Sequence, residues 1–145
     1  DDECTEMPCI NQRFMGVRSR YSYNTFAAVE PYFLMSGIQK WDFETMAEID
    51  RYMLPEGRFM GQPVFAPRTG RTGEDEGYLL AYVSDAAKTD LYVWDAQSVG
   101  EGPVCVIDIP QRIPGGSHAY WGRGDDIRAA RARREVRDGD GRHLQ

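Results

Sequence analysis

The sequence predicts an all-β protein, on three observations. Apolar and polar residues alternate in short runs between residues 20 and 109. Turn-forming clusters rich in Gly, Pro and acidic residues separate those runs. The runs also fall into two sets, each returning on itself within about forty residues. A period of two is the signature of a half-buried strand, and regular short strands with turn signals define a sandwich, a barrel or a propeller. The spacing matches antiparallel propeller blades.

The elements follow in order. Arg20–Val29 is aromatic-rich and extended. Gly37–Phe43 sets Ile38, Lys40 and Asp42 against Gln39, Trp41 and Phe43. Thr45–Met53 returns with Met46, Glu48 and Asp50 against Ala47, Ile49 and Arg51, and the Phe43-Glu44-Thr45 corner closes a hairpin between the two. Pro55-Glu56-Gly57 is a turn, and Pro63–Ala66 a short strand. Thr69–Gly77 is polar, Gly-rich and acidic, which predicts a loop. Tyr78–Ser84, Asp90–Asp95 and Pro103–Ile109 are apolar strands joined through Asp85–Thr89 and Ala96–Gly102. After Trp121 the alternation ends. Asp126–Val136 carries helix formers, and Asp138-Gly139-Asp140-Gly141 stops them, so residues 123–145 form a short helical or disordered tail behind a body of residues 1–122.

A chain of 145 residues is long enough for one core. Residues 1–122 hold ten Lys and Arg against eighteen Asp and Glu, a net of −8. Residues 123–145 hold seven Arg against five acids, a net of +2. An acidic body argues against nucleic acid as the partner, because phosphate binding needs a basic surface. No apolar run reaches membrane-spanning length. Cys4, Cys9 and Cys105 are odd in number and lack zinc-like spacing, which predicts free thiols in a reducing compartment, with a Cys4–Cys9 disulfide as the less favoured reading.

The stretch Ile113-Pro114-Gly115-Gly116-Ser117-His118-Ala119-Tyr120-Trp121 carries the most chemistry. Small residues leave room around His118, and Tyr120 and Trp121 are placed to shield it. Imidazole is the commonest metal ligand, although a histidine in a Gly-rich turn is more often only a turn residue. Other chemistries fit poorly. Ser117 and His118 are adjacent, which does not suit a Ser–His nucleophile pair. Gly70-Arg71-Thr72-Gly73 lacks the P-loop lysine, and Glu74-Asp75-Glu76 lacks the spacing of a calcium loop.

An ordered string of motifs changes the weight of His118. Glu6-Met7-Pro8-Cys9-Ile10-Asn11 leads, with Arg13, Gly16 and Arg20-Tyr21-Ser22-Tyr23 after it. Gly61-Gln62-Pro63-Val64-Phe65-Ala66-Pro67-Arg68 and Glu74-Asp75-Glu76-Gly77-Tyr78-Leu79-Leu80 follow. Ile109-Pro110, Pro114 and His118 close the series. Over residues 3–122 this resembles the C-terminal part of the carotenoid cleavage oxygenases, a family that includes lignostilbene dioxygenases and the retinoid isomerohydrolase of the eye. The family pattern reads Glu-Phe-Pro, Gly-Glu-Pro-Val-Phe-Val-Pro, Glu-Asp-Asp-Gly-Tyr and Pro-x-Gly-x-His-Gly before an aromatic.

The resemblance implies about two antiparallel blades of a seven-bladed β-propeller. Two blades cannot close a ring, so the chain is expected to be part of a larger enzyme and inactive alone. It also implies a ferrous ion, Fe(II), held by four histidines, three of them backed by glutamates. His118 matches the last ligand. Glu6 matches the glutamate of Glu-Phe-Pro and is expected behind a ligand. Gln62 stands where the family has a glutamate and is expected to face His118. His143, the other histidine, matches no ligand motif. Ser117 and Ala119 also depart from the pattern, and Ser117 is expected on the tunnel wall. The implied reaction adds dioxygen across one conjugated C=C bond of a carotenoid, apocarotenoid or stilbene-like polyene. The alternative is a truncated or divergent non-catalytic chain with a packing or partner-binding role. Peripheral membrane contact of the full-length parent is a further expectation. So is cytoplasmic residence, or plastid residence in a photosynthetic eukaryote.

Overall fold

The computed structural model describes residues 3–28, 34–116 and 118–139, with helix side chains through Arg134. The expected strand end at Val29, the tunnel-wall residue Ser117, the stop at Gly141 and the tail residue His143 lie outside the described residues. The described body is β throughout. Strands β1 (Thr5–Cys9), β2 (Tyr21–Ala28), β3 (Leu34–Asp42) and β4 (Ala47–Met53) form one antiparallel meander. Strands β6 (Val64–Pro67), β7 (Gly77–Ser84), β8 (Thr89–Asp95) and β9 (Pro103–Ile109) form a second. Four antiparallel strands are the repeating unit of a propeller blade. The short strand β5 (Phe59–Met60) joins the two by pairing with Met35 of β3 and with Val83 and Ser84 of β7.

The strands that the alternation predicts all form, and β1 and β5 are additional to them. Along β7, Gly77, Leu79, Ala81 and Val83 are buried, while the residues between them are not. Tyr82 is the most exposed of these. The corner after β3 turns at Phe43–Met46, with Met46 in the left-handed region at φ 53°. Helix α1 (Gly124–Gly139) is longer at both ends than expected. Asp125 and Asp126 in its first turn complement the helix dipole.

The core lies between the blades. Tyr23, Met35 and Ile38 of the first pack with Phe65, Leu79, Val83 and Trp94 of the second. The Tyr23 and Phe65 rings sit 5.9 Å apart, and the Tyr23 hydroxyl donates to the Ala96 carbonyl at 3.0 Å. The acidic loop 69–76 reaches from the second blade to the first. Oε1 of Glu74 accepts from the Ser19 hydroxyl at 2.7 Å and from the Arg20 and Tyr21 amides at 2.7 and 2.8 Å. Asp75 pairs at 2.8 Å with Lys40, whose side chain is 4% exposed and stands 4.4 Å over the Tyr21 ring. The cysteines are free thiols, so the Cys4–Cys9 disulfide does not form. Cys9 packs against the core, and burial pushes its thiol up to about 12.

Asp42 gives the fold a testable acid limb. Its side chain is buried, receives two guanidinium nitrogens of Arg20, and also accepts from the Glu44 amide. The Arg20 hydrogen bonds, foremost, hold the carboxyl down to about 2. A depressed native value stabilises the fold above the unfolded value near 4, and that contribution is lost as pH falls from about 4 through about 2. Asp42→Asn is expected to flatten the dependence of Tm on pH in that window. Superimposable profiles for the two proteins would refute it.

Candidate functional site

The site is built on an irregularity. Phe59 and Met60 of β5 pair with Ser84 and Val83, and the Gly61 amide donates to the Tyr82 carbonyl at 2.9 Å. Beyond Pro63 the pairing resumes as Val64 with Leu80 and Phe65 with Leu79, one residue out of register. Gly61-Gln62-Pro63 is therefore a β-bulge in a strand running from 59 to 67. A bulge re-aims a side chain, and Pro63 has no N–H to donate to the ladder there. The re-aimed side chain is Gln62.

His118 arrives from the far side of the same blade. After β9 the chain crosses back over the blade end, where the Ile113 amide donates to the Thr89 hydroxyl at 3.1 Å. His118 then meets Gln62: Nδ1 lies 3.1 Å from Gln62 Oε1, the facing that the family resemblance implies. The same Oε1 accepts the Ala119 amide at 3.0 Å. That second bond settles the chemistry of the first. A backbone N–H can only donate, so the Gln62 atom facing it is the carbonyl oxygen. The oxygen can only accept, so Nδ1 of His118 carries the proton. In the neutral ring Nε2 then holds the free lone pair, the form in which an imidazole binds a metal through Nε2.

His118 and Gln62 line an open cleft of about 810 Å³, with Met7, Leu34, Met60 and Tyr82 on its apolar wall. Asp85 also lines it. The Lys88 and Ala87 amides hold its carboxyl below the usual range, and Arg58 pairs with it at 3.1 Å, so it is an ionised structural group rather than a base. Glu6 is exposed on the outermost strand β1. Its backbone carbonyl takes the Thr25 hydroxyl at 2.9 Å, and among the described residues its carboxylate has no partner. The next residue, Met7, reaches the cleft at a bulge with φ 51°. Tyr120 does not shield His118: it is 78% exposed, with no element packed over it among the described residues. Sequence reasoning missed the Ala119 amide and the Thr89 hydroxyl.

The donor set is short of an iron site. Among the described residues, no three His, Cys, Asp or Glu side chains lie together to hold a metal ion. The described residues present one oriented imidazole, and further ligands are required for iron.

Blade-type sheets agree with the sequence comparison. Residues 1–123 match the family model described as retinal pigment epithelial membrane protein, and the chain belongs to that family, the carotenoid oxygenases. It is 32% identical over 138 aligned positions to carotenoid 9,10(9',10')-cleavage dioxygenase 1 of Pisum sativum, covering 84% of this chain and 25% of that one. Against apocarotenoid-15,15'-oxygenase of Synechocystis sp. it is 32% identical over 124 positions, covering 81% and 24%. The crystal structure of lignostilbene dioxygenase from Pseudomonas brassicacearum superposes with a TM-score of 0.77 at 22% identity, covering 85% of this chain and 28% of that one. The structural neighbours are seven-bladed propellers, and this chain has part of that fold. It spans about a quarter of the length of the curated relatives it matches.

Proposed function

We propose that this chain supplies the last blades and one ligand of a non-haem Fe(II) dioxygenase that splits a conjugated C=C bond of a carotenoid, apocarotenoid or stilbene-like substrate. The observation that carries the reading is the Gln62 oxygen shared between the Ala119 amide and His118 Nδ1, which leaves Nε2 free at an apolar cleft. Iron held in such a centre would supply dioxygen activation, and the reaction would yield two carbonyl products. The roles of this chain are to hold His118, to orient it through Gln62, and to offer an apolar wall that excludes water from a polyene. Glu6 is proposed to back a ligand supplied by another blade. Three free thiols support a reducing compartment.

A second reading is favoured by Gln62 itself. An amide brings no charge to the imidazole, which suits a divergent, non-catalytic blade pair. One experiment separates the two. The product of the gene encoding this chain, with any upstream coding sequence, is expressed and its iron and polyene cleavage are measured. Stoichiometric iron and cleavage, both lost in His118→Ala, are expected. A parent without iron or cleavage would remove the enzyme reading, and a His118→Ala protein that keeps its iron would remove the ligand assignment.

A further inference from the structure

The segment that carries His118 is held at two points. Downstream, the Ala119 amide is pinned to Gln62. Upstream, Thr89 at the start of β8 is fully buried, and its hydroxyl meets both backbone groups of Ile113: it accepts the Ile113 amide at 3.1 Å and lies 3.4 Å from the Ile113 carbonyl. The Ser84 hydroxyl, 2.8 Å away at the end of β7, completes the environment of that oxygen. Between the pins, little holds the two glycines. Gly115 and Gly116 are exposed, and a Cβ added at either would meet nothing within 4 Å.

We infer that Thr89 is a positioning residue for His118: its buried hydroxyl fixes the upstream end of residues 113–119, and through it the pairing of His118 Nδ1 with Gln62. A chain fixed at one end only would let the imidazole leave the Gln62 oxygen, and the single tautomer would be lost. The methyl group of Thr89 cannot do this work, because the bond to Ile113 belongs to the hydroxyl alone. The inference rests on the ligand reading for its functional meaning, but the geometry can be tested without a metal.

The test is a ¹⁵N-histidine spectrum of this chain at pH 8, in a His143→Gln background that leaves His118 as the only histidine. The Nδ1–H form is expected to dominate in the parent. Thr89→Val keeps the shape and removes the hydroxyl. It is expected to shift His118 toward the Nε2–H form that a free imidazole prefers, and Thr89→Ser is expected to restore Nδ1–H. A loss of Tm in Thr89→Val that Thr89→Ser does not reverse, with the tautomer unchanged, would make Thr89 merely structural and overturn the inference. If Thr89→Val does not fold, Ile113→Pro deletes the same hydrogen bond from the other side and leaves the blade untouched. An unchanged tautomer there would overturn the inference equally. In the complete parent, Thr89→Val is expected to weaken cobaltous ion binding roughly 10-fold, the scale of lost support behind a ligand. Cobalt binding that survives His118→Ala would instead sink the ligand reading, whatever the tautomer does.

Discussion

Gln62→Glu is expected to tighten ferrous or cobaltous ion binding by the complete parent by roughly 10–100-fold, the range over which support behind a metal ligand acts. A carboxylate oxygen can take both bonds that Oε1 now accepts, from Ala119 and from His118. It adds a negative charge beside the imidazole, which raises the basicity of Nε2. The exchange loses no donor, since the Gln62 amide nitrogen makes no hydrogen bond among the described residues. Metal titration of the two proteins is the measurement. Equal affinities would mean that the charge at this position is irrelevant and that orientation alone matters.

Glu74→Ala is expected to cost roughly 2–4 kcal/mol of stability, the scale for removing a charged acceptor from several part-buried donors. One oxygen of Glu74 satisfies the Ser19 hydroxyl and two successive backbone amides at the start of β2. The Glu74 carbonyl also receives the Asn11 side-chain amide at 3.0 Å, and the adjacent Asp75 holds Lys40. Loss of the clamp frees the loop that stitches the two blades. Glu74→Gln keeps an acceptor oxygen and is expected to lose less than half as much. Chemical denaturation measures both. A Glu74→Ala protein as stable as the parent would show that water replaces the carboxylate without penalty.

The sequence was readable where one physical signal dominated. β7 and β8 combine strong apolar alternation with clear turns, and both appear where expected. β3 was found, but its two-sided burial was not, because Lys40 and Asp42 look like a solvent face until Asp75 and Arg20 are seen against them. β1 escaped because Pro8 and the bulge at Met7 break its period within five residues. β5 is two residues long, too short for any period. The acidic loop reads as solvated, since composition does not reveal that a carboxylate faces three donors on another blade. The Gln62–His118 pair came from the family resemblance, not from any physical signal in the residues themselves. The Ala119 amide that orients it leaves no mark on side-chain identity at all.

Met60 and Phe65 are both buried in the core, yet they are five residues apart. In an unbroken strand an odd separation sends two side chains to opposite faces. The extra residue between Gly61 and Pro63 turns odd into even, so the strand behaves as two halves counted from different origins. Deleting one residue there would not merely shorten a loop. It would restore an unbroken strand with Met60 and Phe65 four residues apart and both still opposite Val83 and Leu79 on the core face, and it would remove the position from which Gln62 departs from the ladder. The core would therefore accept this strand with or without the extra residue: at the present spacing the bulge is what keeps both aromatic and thioether inside, and what the extra residue adds is the amide that grips His118.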